Sequence, residues 1–403
     1  MHTLRLLCLI VLLSSISHAQ EWTRFRGPNG TGESDTTFPE VWTDMTWQVD
    51  LPGIGHSSPV IWNDRLFIQS AEETGEQILL CLNTKDGSEI WTKRFPSKPY
   101  HIHNRNSFAS CTPTVDEDAV YISWATPDKI MLMALTHDGK QKWVRDDLGP
   151  YVSQHGFGSS PTLFGDTLIL PMLQKPDGDD ASLSSVMAFN KSNGKDIWKT
   201  PRVSGKASYS LPCLRESPEG PELLLCSTTQ GMFGLDLETG KEKWAVKDAF
   251  SMRTVSSPLL VDDILFGSTG SGGGGNYVVA IDLQTKSIKY DVRKQAPYVP
   301  TPVAHGDLVF LWSDKGIVTC IDSVSGETHW SERVGGNYSG SPVRAGDKIY
   351  CIAEDGVVVV LAASKEYKMI RKTALGEDSR STPSIAGGKM FLRTYSKLFC
   401  VGS

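Results

Sequence analysis

The sequence predicts an all-β chain closed on itself as an eight-bladed β-propeller of four-stranded antiparallel blades. Three observations carry this reading: a recurring decamer, a strand-opening proline that returns at nearly even steps, and a last unit that is one strand short. The decamer LDLETGKEKW at Leu235 reappears as LNTKDGSEIW at Leu82, FNKSNGKDIW at Phe189, IDLQTKSIKY at Ile281 and IDSVSGETHW at Ile321. A shortened LTHDGKQKW starts at Leu135 and a degenerate LAASKEYKMI at Leu361. Each copy joins an apolar strand to an aromatic-ended strand through a turn. Gly87, Gly139, Gly194, Gly240 and Gly326 stand in that turn where a left-handed backbone is needed, which glycine adopts without steric cost.

Upstream of each decamer lies a second signal, a short apolar strand, an Asp/Gly turn and another apolar strand, as in SSPVIWNDRLFIQS from Ser57 or SSPLLVDDILFGST from Ser256. The unit is therefore four antiparallel strands. Its opening proline falls at Pro59, Pro113, Pro161, Pro212, Pro258, Pro302, Pro342 and Pro383. Proline is tolerated at a strand start, before any ladder donor is required. The last unit, STPSIAGGKMFLRTYSKLFCVGS, has three strands, and WTDMTWQVDLPG places Trp47 as far before Pro59 as Trp330 stands before Pro342. An N-terminal strand completing the last blade closes the ring and leaves no long open edge.

The bulk features set the context. MHTLRLLCLIVLLSSISHAQ combines an early Arg5, an apolar run from Leu6 to Leu13 and a small-residue site ending at Ala19, the layout of a cleavable export signal over residues 1–19. Residues 20–403 then form one propeller domain, periplasmic or extracellular, with no transmembrane segment. Removing Arg5 leaves 39 of the 40 Lys and Arg against 46 Asp and Glu, a net charge of −7. An acidic chain without basic clusters argues against nucleic-acid binding. Cys81, Cys320 and Cys400 fall where other copies carry Ala134, Ala188, Gly234 and Ala280, so the cysteines read as small buried residues. The recurrent Trp and Tyr closers read as packing between blades. Asp177, Asp179 and Asp180 lack calcium-loop spacing, and no metal site is expected.

With its eight register-matched units the mature chain resembles the PQQ-repeat propellers, whose units read SPxxxxDxxVYxxxxDGxxxALDxxTGxxxW. EWTRFRGPNGTG at the N-terminus is similar to the start of exported bacterial proteins with such repeats. The resemblance implies either of two functions, since that family includes quinoprotein dehydrogenases and the non-catalytic BamB-like propellers of outer-membrane assembly. The dehydrogenases are longer and carry an adjacent cysteine pair above the quinone, whereas this sequence has no Cys-Cys dipeptide. The reading therefore favours a monomeric binding scaffold without a cofactor, for protein, peptide or glycan partners. The alternative is an oxidoreductase using PQQ with calcium on an alcohol or sugar.

Loop lengths place the binding face. Trp91 to Pro113 spans 22 residues and Trp143 to Pro161 spans 18, while the other connections take 12 to 14. The two enlarged neighbours carry YHIHNRNSFAS and YVSQHGFGSS. The candidate binding residues are His56, His101, His103, Asn104, Arg105, Asn106 and His155, joined by Tyr209, Arg253, Tyr298, Tyr338 and Arg380 from the same class of connection. His101 and His103 alternate as if on one side of an extended segment.

Overall fold

The computed structural model describes residues 21–38, 45–153, 155–175 and 184–402. The export-signal residues and the Asp177–Asp180 turn lie outside them. Eight sheets follow in order, as blades 1 to 8: residues 60–95, 114–145, 162–201, 213–246, 259–292, 303–333, 343–374, and 384–402 with 47–50. Within each blade the strands pair antiparallel in chain order. Among the described residues, no helix is long and apolar enough to cross a membrane.

Closure is as the sequence predicts. Trp47–Asp50 pairs antiparallel with the last strand, Trp47 opposite Cys400 and Asp50 opposite Lys397, and is the outermost strand of blade 8. The sequence reading missed a second N-terminal strand: Glu33–Ser34 runs parallel to Val343–Ala345 and gives blade 7 a fifth strand on its inner edge.

The decamer is explained by one contact made between neighbouring blades. At five junctions the aromatic closer of one blade lies on the hairpin glycine of the next, so a Cβ on Gly87 would stand 2.8 Å from Trp47, one on Gly194 2.6 Å from Trp143, and one on Gly326 2.6 Å from Tyr290. These glycines also have positive φ, 74° at Gly87 and 70° at Gly194. The indole N–H then donates to a carbonyl in the same turn of the neighbour: Trp91 to His137 at 2.8 Å, Trp143 to Lys191 at 2.9 Å, Trp198 to Leu237 at 2.9 Å and Trp330 to Ser364 at 3.1 Å. Trp47 donates to Thr84 of blade 1 at 3.2 Å and repeats the contact across the seam.

Directly opposite each closer on the adjacent strand sits a small residue: Cys81 faces Trp91, Ala188 faces Trp198, Gly234 faces Trp244 and Cys320 faces Trp330, with a register shift beside it. The cysteines are small partners of large rings. All seven described cysteines are buried and unpaired, and burial pushes the Cys81 and Cys111 thiols up to about 12.

Two substitutions test the seam. Trp47→Ala removes a buried ring and is expected to cost about 3–5 kcal/mol. Gly87→Ala adds a Cβ against that ring at a positive φ and is expected to cost at least about 1–2 kcal/mol. Urea unfolding monitored by tryptophan fluorescence measures both, and unchanged midpoints would contradict the seam contact.

Candidate functional site

The first residue of interest in each blade is the one before the opening proline. In seven blades it is Ser or Thr, and in six of these its backbone N–H donates to the hydroxyl at the same position one blade on. Ser58 donates to Thr112 at 3.1 Å and Thr112 to Ser160 at 2.9 Å. Leu211, the exception, donates to Ser257 at 3.0 Å, and Ser257 donates to Thr301 at 3.0 Å. Thr301 donates to Ser341 at 3.0 Å, Ser341 to Thr382 at 2.9 Å, and Thr382 returns to Ser58 at 3.2 Å. Each hydroxyl thus accepts a neighbour's amide and keeps its own O–H. Among the described residues none of the seven donates a second bond, and all seven line one cavity of about 430 Å³ on the propeller axis.

The enlarged connections build one wall of this cavity and are tied to each other. Asn106 Nδ2 donates to the carbonyls of His155 at 2.6 Å and Phe157 at 3.2 Å, while its Oδ1 accepts from the Ser107 amide at 2.9 Å. The His103 ring stacks on His155, centroids 4.8 Å apart and 17° from parallel. His155 also meets Arg253, whose Nη1 is 3.0 Å from Nδ1 and 2.9 Å from Nε2. Arg253 Nε donates to the Ala207 carbonyl at 2.9 Å, and the guanidinium lies over Tyr209, 5.6 Å from the ring centroid. Tyr209 in turn donates to the Gly156 carbonyl at 2.8 Å.

Charge is unevenly shared around the mouth. Arg105 and Arg380 both approach Glu354, at 3.3 and 3.7 Å. Arg253 is 7% exposed, and among the described residues no carboxylate lies within ion-pair distance of it. Among the described residues no Asp or Glu lines the cavity. Burial first, then the charge of Arg253, lowers the His155 pKa to about 4, and burial with Arg393 and Arg380 lowers that of His56 to about 3. Both rings are therefore neutral near pH 7. Burial also raises the pKa of Tyr298, whose backbone N–H donates to Asp314 at 2.7 Å.

The other end of the channel is filled by the N-terminal segment. Trp22 bridges to Ile61 of blade 1, Thr23 accepts from the Val115 amide of blade 2 at 2.8 Å, and Arg24 donates to the Pro212 carbonyl of blade 4 at 2.8 Å. Arg26 is fully buried and donates to the carbonyls of Thr301, Pro302 and Pro342 at 3.2, 2.6 and 2.7 Å. Between these arginines Phe25 reaches the cavity. The cavity is blind on that side.

Nine of the sequence-predicted residues line this cavity: His56, His103, Arg105, Asn106, His155, Tyr209, Arg253, Tyr298 and Arg380. Three do not. Tyr338 is 1% exposed and packs edge-on against Trp312, centroids 5.3 Å apart, so it belongs to the core. Asn104 and His101 are exposed outside the cavity. His101 and His103 are not paired as the alternation suggests: His101 is exposed, whereas His103 stacks on His155 from the next enlarged connection. Sequence reasoning missed Phe25 and the hydroxyl ring, although the Ser/Thr-Pro pairs were visible in each unit. Elsewhere, Asp116, Glu117 and Asp118 cluster closely, but the Lys191 ammonium occupies their midst at 3.0, 3.1 and 3.7 Å.

The family model described as outer membrane protein assembly factor BamB matches residues 40–291, 156–332 and 289–366. Among curated proteins, none matches by sequence. Among solved structures, BamB from Moraxella catarrhalis superposes with a TM-score of 0.63 at 15% identity, covering 88% of this chain and 98% of that one. The quinohemoprotein alcohol dehydrogenase from Comamonas testosteroni gives 0.71 at 11% identity over 94% of this chain and 80% of that one. The computationally designed Ika8 protein gives 0.61 at 8% identity, covering 89% of this chain and 99% of that one. At these identities the likeness is one of fold.

The histidine environment predicts a pH response. An unfolded His155 takes a proton near 6.5, whereas the folded one resists until about 4, so acid favours the unfolded chain across that window. His56 acts in the same direction and further down, to about 3. Stability is expected to fall as pH drops from about 6.5 to 4, and His155→Asn is expected to flatten part of that slope. Denaturant melts across the window measure it, and identical slopes for the two proteins would contradict the assignment.

Proposed function

The chain belongs to the family of the outer membrane protein assembly factor BamB, and from that premise we propose that it is an exported, non-catalytic propeller whose loop face binds a protein, peptide or glycan partner. One observation carries the reading. The described residues form a cavity of about 430 Å³ at the centre of the loop face, walled by the two enlarged connections, with the N-terminal segment filling the channel at its other end. Its neutral imidazoles, tyrosines and guanidiniums supply hydrogen-bond donors beside apolar ring faces, the mixture that recognition of a polar chain end requires.

The quinoprotein alternative fits this lining poorly. Calcium beside a quinone takes six or more oxygen ligands, largely carboxylate and amide oxygens. Among the described residues no carboxylate lines the cavity, and the one amide oxygen on its wall, Asn106 Oδ1, already accepts from Ser107 and Ser110. None of the buried cysteines lines it, and no two of them are adjacent. The arginines would suit carboxylates, but the described lining offers no ligand set for the metal that polarises the quinone.

Probing glycan and peptide arrays with the wild-type protein and with His103→Ala and Tyr209→Ala tests the proposal. Retention on a defined set of spots is expected, with affinity for them reduced at least about tenfold in both variants. Dye-linked oxidation of an alcohol or sugar after loading with PQQ and calcium would overturn it.

A further inference from the structure

The cavity has an imbalance that a binding surface in general does not need. Its floor presents seven hydroxyls whose oxygens each accept a backbone N–H while their own O–H groups remain to donate. These side chains are almost fully buried, Ser58 2% and Ser257 7% exposed. Its wall holds Arg253, 7% exposed and without a carboxylate partner, and its rim holds Arg105 and Arg380, which share the single carboxylate of Glu354. Among the described residues three guanidiniums face two nearby carboxylates, Glu354 and Asp314, the latter held by the Tyr298 and Val299 amides, so the mouth keeps a positive excess that His56 and His155, being neutral, do not change. Burying a guanidinium without a counter-ion is unfavourable unless a ligand supplies the negative charge. The lining therefore favours an anion.

The shape and remaining chemistry narrow the class. A blind cavity of about 430 Å³ admits a chain end or a compact molecule, not a passing strand. Phe25, Tyr209 and Tyr298 offer ring faces, and the floor hydroxyls can donate to several oxygens set around a ring. A pyranose presents this complement: an apolar ring face, hydroxyls around its edge and, in acidic sugars, one charged group. We propose that the cavity receives an acidic sugar residue, a pyranose bearing one carboxylate or sulfate, with the anion against Arg253 and the sugar hydroxyls toward the serine–threonine ring. This rests on the binding reading above and names the ligand of the same site.

Isothermal titration of the intact protein tests it with trigalacturonate, the methyl ester of trigalacturonate, galactose 6-sulfate and hexaglutamate as probes. Binding of trigalacturonate or galactose 6-sulfate is expected, the stronger of the two identifying the preferred anion. The uncharged ester is expected to bind at least about tenfold more weakly than the acid if the carboxylate is the preferred group. Arg253→Met is expected to weaken binding of the preferred sugar by at least about tenfold. Because Arg253 is buried, Arg105→Ala serves as a second variant, and wild-type affinity is expected to fall as salt is raised. Equal binding of acid and ester without any response to galactose 6-sulfate would overturn the proposal, as would no binding of either sugar acid. Tighter binding of hexaglutamate would overturn the sugar assignment while leaving the binding scaffold standing. Quinone-dependent turnover would remove both.

Discussion

The contact between an aromatic ring at the end of one blade and a glycine turn at the outer edge of the next is the constraint on which the rest of the molecule depends. It requires a flat, large residue on one blade and the absence of a Cβ on its neighbour, and five copies of the decamer supply the glycine that meets such a ring. Repetition of one sequence therefore fixes the spacing between blades as well as the blades themselves. The indole donor on the next turn's carbonyl gives each ring an orientation, which apolar packing alone does not. At the seam, Trp47 makes this contact from the N-terminal strand, so ring closure uses the same interaction as the junctions at Gly139, Gly194, Gly240 and Gly326.

At the axis the corresponding problem is different. Eight short inner strands converge, and their first amides face a channel instead of a ladder. The residue before each proline meets this need, since its hydroxyl accepts the neighbouring amide and so satisfies a buried donor that no strand reaches. A consequence of satisfying backbone donors with hydroxyl oxygens is that the hydroxyl hydrogens turn to the axis. The floor of the cavity is thus made by the closure of the ring, and its donor excess follows from how the inner strands are capped. Leu211 interrupts the set in blade 4 and puts an apolar patch on that side of the floor.

The enlarged connections add asymmetry to an otherwise nearly equivalent frame. Asn106 binds two carbonyls of the neighbouring loop, which fixes His155 between His103 and Arg253. Arg253 comes from blade 4 to 5, on a connection of ordinary length, so the rigid frame brings it to the stack from across the mouth. At the opposite end, Arg26 gathers carbonyls from blades 6 and 7, holding the plug and blinding the channel. Burial lowers its pKa to about 9, still well above neutral pH, so it remains a charged donor to those carbonyls.

Blade number, strand order, the seam at Trp47 and the small residues opposite each aromatic closer were determined by the sequence, because each is a local pattern repeated at fixed register. Nine of the twelve residues expected on the loop face line the cavity, since a connection that precedes a strand-opening proline ends at the channel mouth. What only the tertiary structure decided is which side chains turn inward within such a connection. Tyr338 follows the same rule of position yet packs on Trp312, and His101 stays outside while His103 finds a ring from the next loop. Phe25, the plug arginines and the parallel strand at Glu33 were equally beyond local reading, because their partners lie in blades remote along the chain. Their positions depend on where the closed ring places unsatisfied carbonyls, and that is a property of the assembled propeller, which no single repeat contains.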